Sequence, residues 1–183
     1  MRIVLLCLLL LLGPAWVAAQ GAMAERIRIV RIGLYALQPI GGNHGHDAAW
    51  KPVRKLKRLA ATEIVPARLC LSFGVEYIVT GSPSAAQVAI RMVTRFPAPG
   101  LDQPGARERK LQEVYSLQLA IGPVHFRSYT FDEVWELMPG VWTFEFWHKD
   151  RKLAEQTFTV VAARGAEDED CLEKRMSVLT TGH

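Results

Sequence analysis

The chain has 183 residues, half of them hydrophobic, with a formal net charge of +4 at pH 7 and three cysteines. That length suits one domain with appendages and supplies enough apolar material for a real core. The positive excess is small and local, which argues against a nucleic-acid binder, and 9% aromatic residues with alternating strands argue against disorder in the middle of the chain.

At the amino terminus Arg2 precedes an apolar run over residues 3–12, Gly13-Pro14 breaks it, and small residues follow. This is the order of a signal peptide, assigned to residues 1–19. Val17-Ala18-Ala19 gives the preferred cleavage site, after Ala19, and Ala22-Met23-Ala24 gives a second one. A membrane-spanning helix needs roughly 18 to 20 continuous apolar residues, so no transmembrane anchor is expected once the signal is removed. Cys7 lacks the small residue upstream that a lipid-modified cysteine requires. The mature protein is therefore expected to be periplasmic or secreted, in a compartment that permits disulfides. Cys70 and Cys171 remain there, either bridged or as two separate thiols. Closing a loop of about 100 residues would be worth on the order of 4 to 5 kcal/mol in the chain-entropy model.

Beyond the signal, residues 26–35 alternate arginines with aliphatic residues, the pattern of a first edge strand whose charges discourage edge-to-edge pairing. Residues 41–47 form a Gly-rich loop by composition. Residues 50–58 hold five basic side chains, Lys51, Arg54, Lys55, Lys57 and Arg58, and their interleaved apolar residues fit a short strand or a poorly packed helix. A long strand is expected over 64–79, where Gly74 suggests a bulge or a close backbone approach. On this strand Cys70 has the opposite parity from Val65, Phe73, Val75 and Tyr77, which puts it on the less buried face. Strands follow at 87–96, 111–121, 124–131 and 134–138, separated by Gly and Pro turns.

Residues 139–160 read as one β-hairpin. Trp142, Phe144 and Phe146 recur with a period of two, and Phe158 and Val160 continue it on the return strand. Three large aromatics on one face of one strand need a second layer to be buried, so the expected fold is all-β: an immunoglobulin-like antiparallel sandwich of seven or eight strands over residues 20–162. Residues 163–183 form a polar tail.

Val65-Pro66-Ala67-Arg68-Leu69, Phe73-Gly74, Tyr129-Thr130-Phe131-Asp132, Trp135-Glu136, Pro139-Gly140-Val141-Trp142 and the run from Asp150 through Gln156 resemble an exported bacterial family, domain-of-unknown-function family 3859. The resemblance runs over residues 29–160 and departs in the Gly-His loop and in the tail. It implies a small exported immunoglobulin-like domain, with no reaction to carry over.

Chemistry-bearing motifs are sparse. His44 and His46, beside Asn43 and Asp47, make half of a zinc or copper site, where a closed site wants about four ligands, so no metal or other cofactor is expected. The closely spaced glycines lack the lysine and βαβ setting of a phosphate loop. Asp132 and Glu136 share one face of their expected strand, as on an ordinary solvated face, and there is no nucleophile elbow. The chain is thus expected to be a non-catalytic binding or interaction module, with a metal-binding domain or a small enzyme as alternatives. Its candidate surface is the basic segment Lys51, Arg54, Lys55, Lys57 and Arg58, suited to an envelope protein or an anionic surface, together with Trp147. That tryptophan has the opposite parity from the aromatic wall and is expected to be exposed near the hairpin tip.

Overall fold

The computed structural model describes residues 21–39 and 54–163. Among them lie β1 (Met23–Pro39), β2 (Arg54–Ala60), β3 (Ile64–Ala67), β4 (Ser72–Ser82), β5 (Gln87–Arg95), β6 (Gln112–Ala120), β7 (Val124–Thr130), β8 (Gly140–His148) and β9 (Arg151–Ala162). One sheet has the order β2-β1-β4-β7 and the other β3-β9-β8-β5-β6. The all-β sandwich expected from alternation is present, with nine strands among the described residues. The segment read as a signal peptide, the Gly-His loop, Lys51 and the tail from residue 164 lie outside them.

Some local expectations hold and two change. The edge expected at β1 is present over most of its length: β4 pairs with β1 from Met23 to Tyr35, whereas β2 pairs only with Leu34–Pro39. Its arginines at 26, 28 and 31 lie on this one-sided stretch and face solvent, and β2 takes over the edge from Leu34 onward. The close approach expected at Gly74 is real: a Cβ there would sit 2.2 Å from the carbonyl oxygen of Arg127, and one on Gly33, its partner in β1, 1.9 Å from that of Ala60. Side chains are excluded at both positions, so the strands on either side can close in.

The stretch 64–79 is two strands, not one. β3 pairs with β9 in a parallel ladder of one sheet, and β4 belongs to the other. Between them the chain turns at Cys70, whose φ of 61° and N–H to Phe131 carbonyl bond of 2.8 Å mark a tight connection. The parity of Cys70 on a strand therefore has no meaning. Val65 and Phe73 both point into the core, from opposite sheets, and their even spacing hides the break. The strand expected at 134–138 is instead a 3₁₀ turn, Val134–Glu136.

The hairpin is as the period of two requires. β8 and β9 are joined by Lys149 and Asp150, with Lys149 at a φ of 54°, and a bulge follows Phe146. Trp142, Phe144, Phe146, Phe158 and Val160 are all buried. Phe73, from the opposite sheet, is the hub they pack on. Its ring lies 5.0 Å from Phe158, 5.5 Å from Phe144 and 5.8 Å from Trp142. Trp142 donates its indole N–H to the Met138 carbonyl at 3.0 Å, so the polar corner of a fully buried ring is satisfied. Burial of each such side chain stabilises the fold by about 1.5 to 3 kcal/mol.

Candidate interaction surface

Residues alternate across a strand, so the β8 positions that do not face the core face solvent: Thr143, Glu145 and Trp147. Antiparallel pairing puts β5 on one side of them and β9 on the other. Arg95 reaches diagonally across β5 to Glu145, with Nε at 2.8 Å and Nη2 at 3.2 Å from the two carboxylate oxygens. Arg95 Nη1 also donates to Gln112 of β6 at 3.0 Å. The indole N–H of Trp147 donates to Glu145 at 2.9 Å. The Arg91 guanidinium lies 5.1 Å and the Lys152 ammonium 5.8 Å from the centre of the Trp147 ring. Lys152 also bonds Glu155 at 2.5 Å and approaches Glu145 at 3.8 Å. Four strands thus contribute to one interlocked patch.

Glu145 is the pivot of this patch, buried although it is on the outward face. Burial pushes its carboxyl pKa up, but the bonds from Arg95 and Trp147 and the nearby cations outweigh that and hold it below the ordinary range. The same bond to Glu145 raises Arg95. Trp147 is half-buried rather than exposed, because Arg91, Glu145 and Lys152 surround it beside a bulge at Leu153 of β9. With Arg91, Arg95 and Lys152 against Glu145 and Glu155, the patch keeps an excess of positive charge around a fixed aromatic ring. Chemically it can stack and donate hydrogen bonds to an acidic or carbonyl-rich partner without first ordering its own side chains.

Lys57 and Arg58 are exposed on β2, the outer strand of the other sheet. Arg54 and Lys55 belong to the same strand and Lys51 lies outside the described residues, so the described part of the basic segment and Trp147 fall on different sheets rather than on one surface. His44, His46 and Cys171 lie outside the described residues, and Cys70 sits in the turn between β3 and β4. His125 and His148 do not converge. His125 Nε2 lies 2.8 Å from the Ala120 carbonyl, and His148 Nδ1 lies 3.0 Å from that of Ala89. Among the described residues no group of three or more metal-ligating side chains is assembled, and no helix is long and apolar enough to cross a membrane.

Two polar groups inside the sandwich escape a sequence reading. Glu136 is not on a solvated face but buried, because the 3₁₀ turn rotates it inward. It accepts hydrogen bonds from the Tyr129 hydroxyl at 2.6 Å and from the N–H groups of Asp132 and Glu133 at 2.7 and 2.9 Å. Burial, and then the bond to Glu136, raise the Tyr129 phenol pKa. This carboxylate fixes the connection from β7 to β8 by satisfying the donors that open the turn. Arg127 points inward from β7, stacked 4.8 Å from the Tyr115 ring and 5.0 Å from Phe144, and donates to Thr94 Oγ1 at 2.6 Å and to the Ser128 carbonyl. Burial lowers its pKa. It closes the flank where the sheets end at β7 and β6.

Comparison with known proteins follows the same lines. Over 75% of this chain and 98% of the other, the fold is similar to a crystal structure of an immunoglobulin-like protein from Pseudomonas aeruginosa, with 22% identity and a TM-score of 0.53. A β-D-glucoside glucohydrolase from Trichoderma reesei aligns with 74% of this chain and 19% of its own at 11% identity, but its TM-score of 0.33 carries no argument. No curated protein matches. The family described as a domain of unknown function (DUF3859) matches residues 26–160, most of the sandwich and both strands of the aromatic hairpin. The chain is a member of that family, in an immunoglobulin-like fold.

Proposed function

We propose that this protein is an exported, non-catalytic binding module, and that the outward face around Trp147 is where it meets an acidic envelope partner. The observation that supports this is the pre-ordered patch itself. Trp147 and Arg95, residue types that dominate interface energetics, are held by a buried glutamate on a face the core does not use, and Arg91 lies over the Trp147 ring. Holding such side chains in advance lowers the ordering entropy lost on binding.

Export favours cleavage after Ala19 over cleavage after Ala24. The second site would remove Met23 and Ala24, which pair with Ser82 and Gly81, and would delete the Ala24 carbonyl that accepts from Arg151 at 2.8 Å. The mature terminus is then Gln20, which amino-terminal sequencing of the periplasmic fraction reads directly. The disulfide between Cys70 and Cys171 belongs to the same proposal, and a mass difference of two hydrogens between oxidised and reduced mature protein tests it.

The binding proposal is tested by capture from a periplasmic extract, with three baits: the mature protein, Trp147→Ala, and a variant with Lys51, Arg54, Lys55, Lys57 and Arg58 neutralised. A partner held by the first and third and lost by the second places binding on the outward face of the five-stranded sheet. Loss only with the third moves it to the basic segment. A partner kept by all three, or none with any, counts against both surfaces.

A further inference from the structure

The two sheets end in four outer strands among the described residues, with a further open stretch on β1 before Leu34 that bears exposed arginines, and three of the outer strands carry a device that discourages pairing with another strand. β2 carries Lys57 and Arg58 in the open. β3 is only four residues long and contains Pro66. β7 turns a charged residue, Arg127, inward. β6 differs from all of these. Its nine residues include no proline, glycine, lysine or arginine, and its register against β5 runs through nine pairs without a bulge. Its one charge, Glu113, stands near one end with Lys110 3.7 Å away. Val114 and Leu117 are 46% and 47% exposed.

The free backbone groups of β6 can be placed. At the two ends of its ladder with β5, the Phe96 N–H donates to the Leu111 carbonyl and the Ile121 N–H to the Ala86 carbonyl. In an antiparallel pair hydrogen-bonded residues alternate, so the odd-numbered residues of β6 bond β5 and the even-numbered ones present N–H and C=O outward. The Ala120 carbonyl is already occupied by His125. That leaves Gln112, Val114, Ser116 and Gln118.

We propose that this edge pairs with β6 of a second copy of the chain, antiparallel about a two-fold axis at Tyr115. That register sets Gln112 opposite Gln118 and Val114 opposite Ser116 of the second copy, so all four outward-facing residues are matched and the Ala120 to His125 bond is left intact. Glu113 falls opposite Leu117 and Tyr115 opposite Tyr115, so no like charges meet and an aromatic pair forms on the inner side. A two-fold axis requires this kind of self-complementarity, and the edge has it. The product is a continuous ten-stranded sheet with both Trp147 patches on one side. This inference stands apart from the proposal about Trp147, because β5 separates that residue from β6.

Sedimentation of the mature protein over a range of concentrations tests the pairing, with Ser116→Pro as the variant. Proline there removes an N–H that faces the free edge and leaves the bonds to β5 in place. The wild-type chain is expected to self-associate, and Ser116→Pro to raise the dimer dissociation constant by about tenfold or more, with circular dichroism and cooperative unfolding retained. Should the proline variant fail to fold, Val114→Lys, which places a charge on the edge without touching the backbone, gives the same readout. A wild-type chain that stays monomeric up to its solubility limit overturns the proposal and leaves the edge to an extended segment of another protein. A folded Ser116→Pro or Val114→Lys chain that dimerises as tightly as wild type overturns it as well.

Discussion

The two faces of β8 carry the same kinds of side chain for opposite ends. Trp142 on the inner face is surrounded by the rings of Phe73, Phe96, Tyr129 and Phe131, and its one polar atom is given to a backbone carbonyl. Trp147 on the outer face is surrounded by Arg91, Lys152 and Glu145, and its indole N–H goes to a carboxylate. The inner tryptophan is held by burial, and its surroundings need no charge. The outer one is held by charges that also remain within reach of a partner. A tryptophan five positions further along one strand thus passes from stabilising the fold to presenting a surface, through nothing more than the period of two.

Removing the inner ring breaks this comparison most severely. Trp142→Ala should destabilise the protein by about 3 to 5 kcal/mol in urea unfolding, because the cavity opens at the meeting point of both sheets. A loss below about 1 kcal/mol would put the aromatic wall at the surface and reverse the assignment of faces. The outer face should respond less and in a pH-dependent way. Glu145→Gln keeps the shape and removes the charge that Arg95 and Lys152 face. At pH 7 the expected loss is about 1.5 to 3 kcal/mol, the range for hydrogen bonds to a charged group. The folded carboxyl titrates below its ordinary value of 4.5, so its contribution is present above that pH and lost as the pH falls through the folded value. The stability gap between wild type and Glu145→Gln should therefore be constant near neutrality and close in acid. A gap that is unchanged down to the acid-unfolding region would show that the charge pair is not its source.

What was legible in the sequence follows the same division. The inner face could be read because burial writes itself as alternation: Trp142, Phe144, Phe146, Phe158 and Val160 all lie where their period places them. Alternation fails where two strands share one parity across a turn, which is why β3 and β4 read as a single strand. It fails again at Val134–Glu136, where three residues of 3₁₀ turn carry the aromatic and acidic pattern of a short strand. The outer patch was half legible. The parity of Trp147 assigns it to the outer face, but Arg91, Arg95 and Gln112 reach it only through the register of β8 on β5 and of β5 on β6, which no local pattern encodes. Arg127 left no signal, because an arginine in alternation reads as an outward residue. Only the position of β7 at the sheet edge, with room for a guanidinium over Tyr115, makes it inward.

The smallest effect is expected at the basic strand, and it concerns association more than stability. Lys57 and Arg58 are exposed and lie on an outer strand, so replacing both with alanine should change unfolding stability by less than about 0.5 kcal/mol. Arg58 pairs with Tyr35, a buried residue whose hydroxyl has no hydrogen-bond partner among the described residues, so a loss above about 1 kcal/mol would mean that the aliphatic stem of Arg58 covers the Tyr35 ring. The same double replacement removes two of the four basic residues that set β2 apart from β6. If charge is what protects that edge, light scattering should show new self-association in the Lys57→Ala/Arg58→Ala protein, retained when Ser116→Pro is added because it forms through the other sheet. Association abolished by Ser116→Pro would instead show that it forms through β6 and that β2 is guarded by more than Lys57 and Arg58.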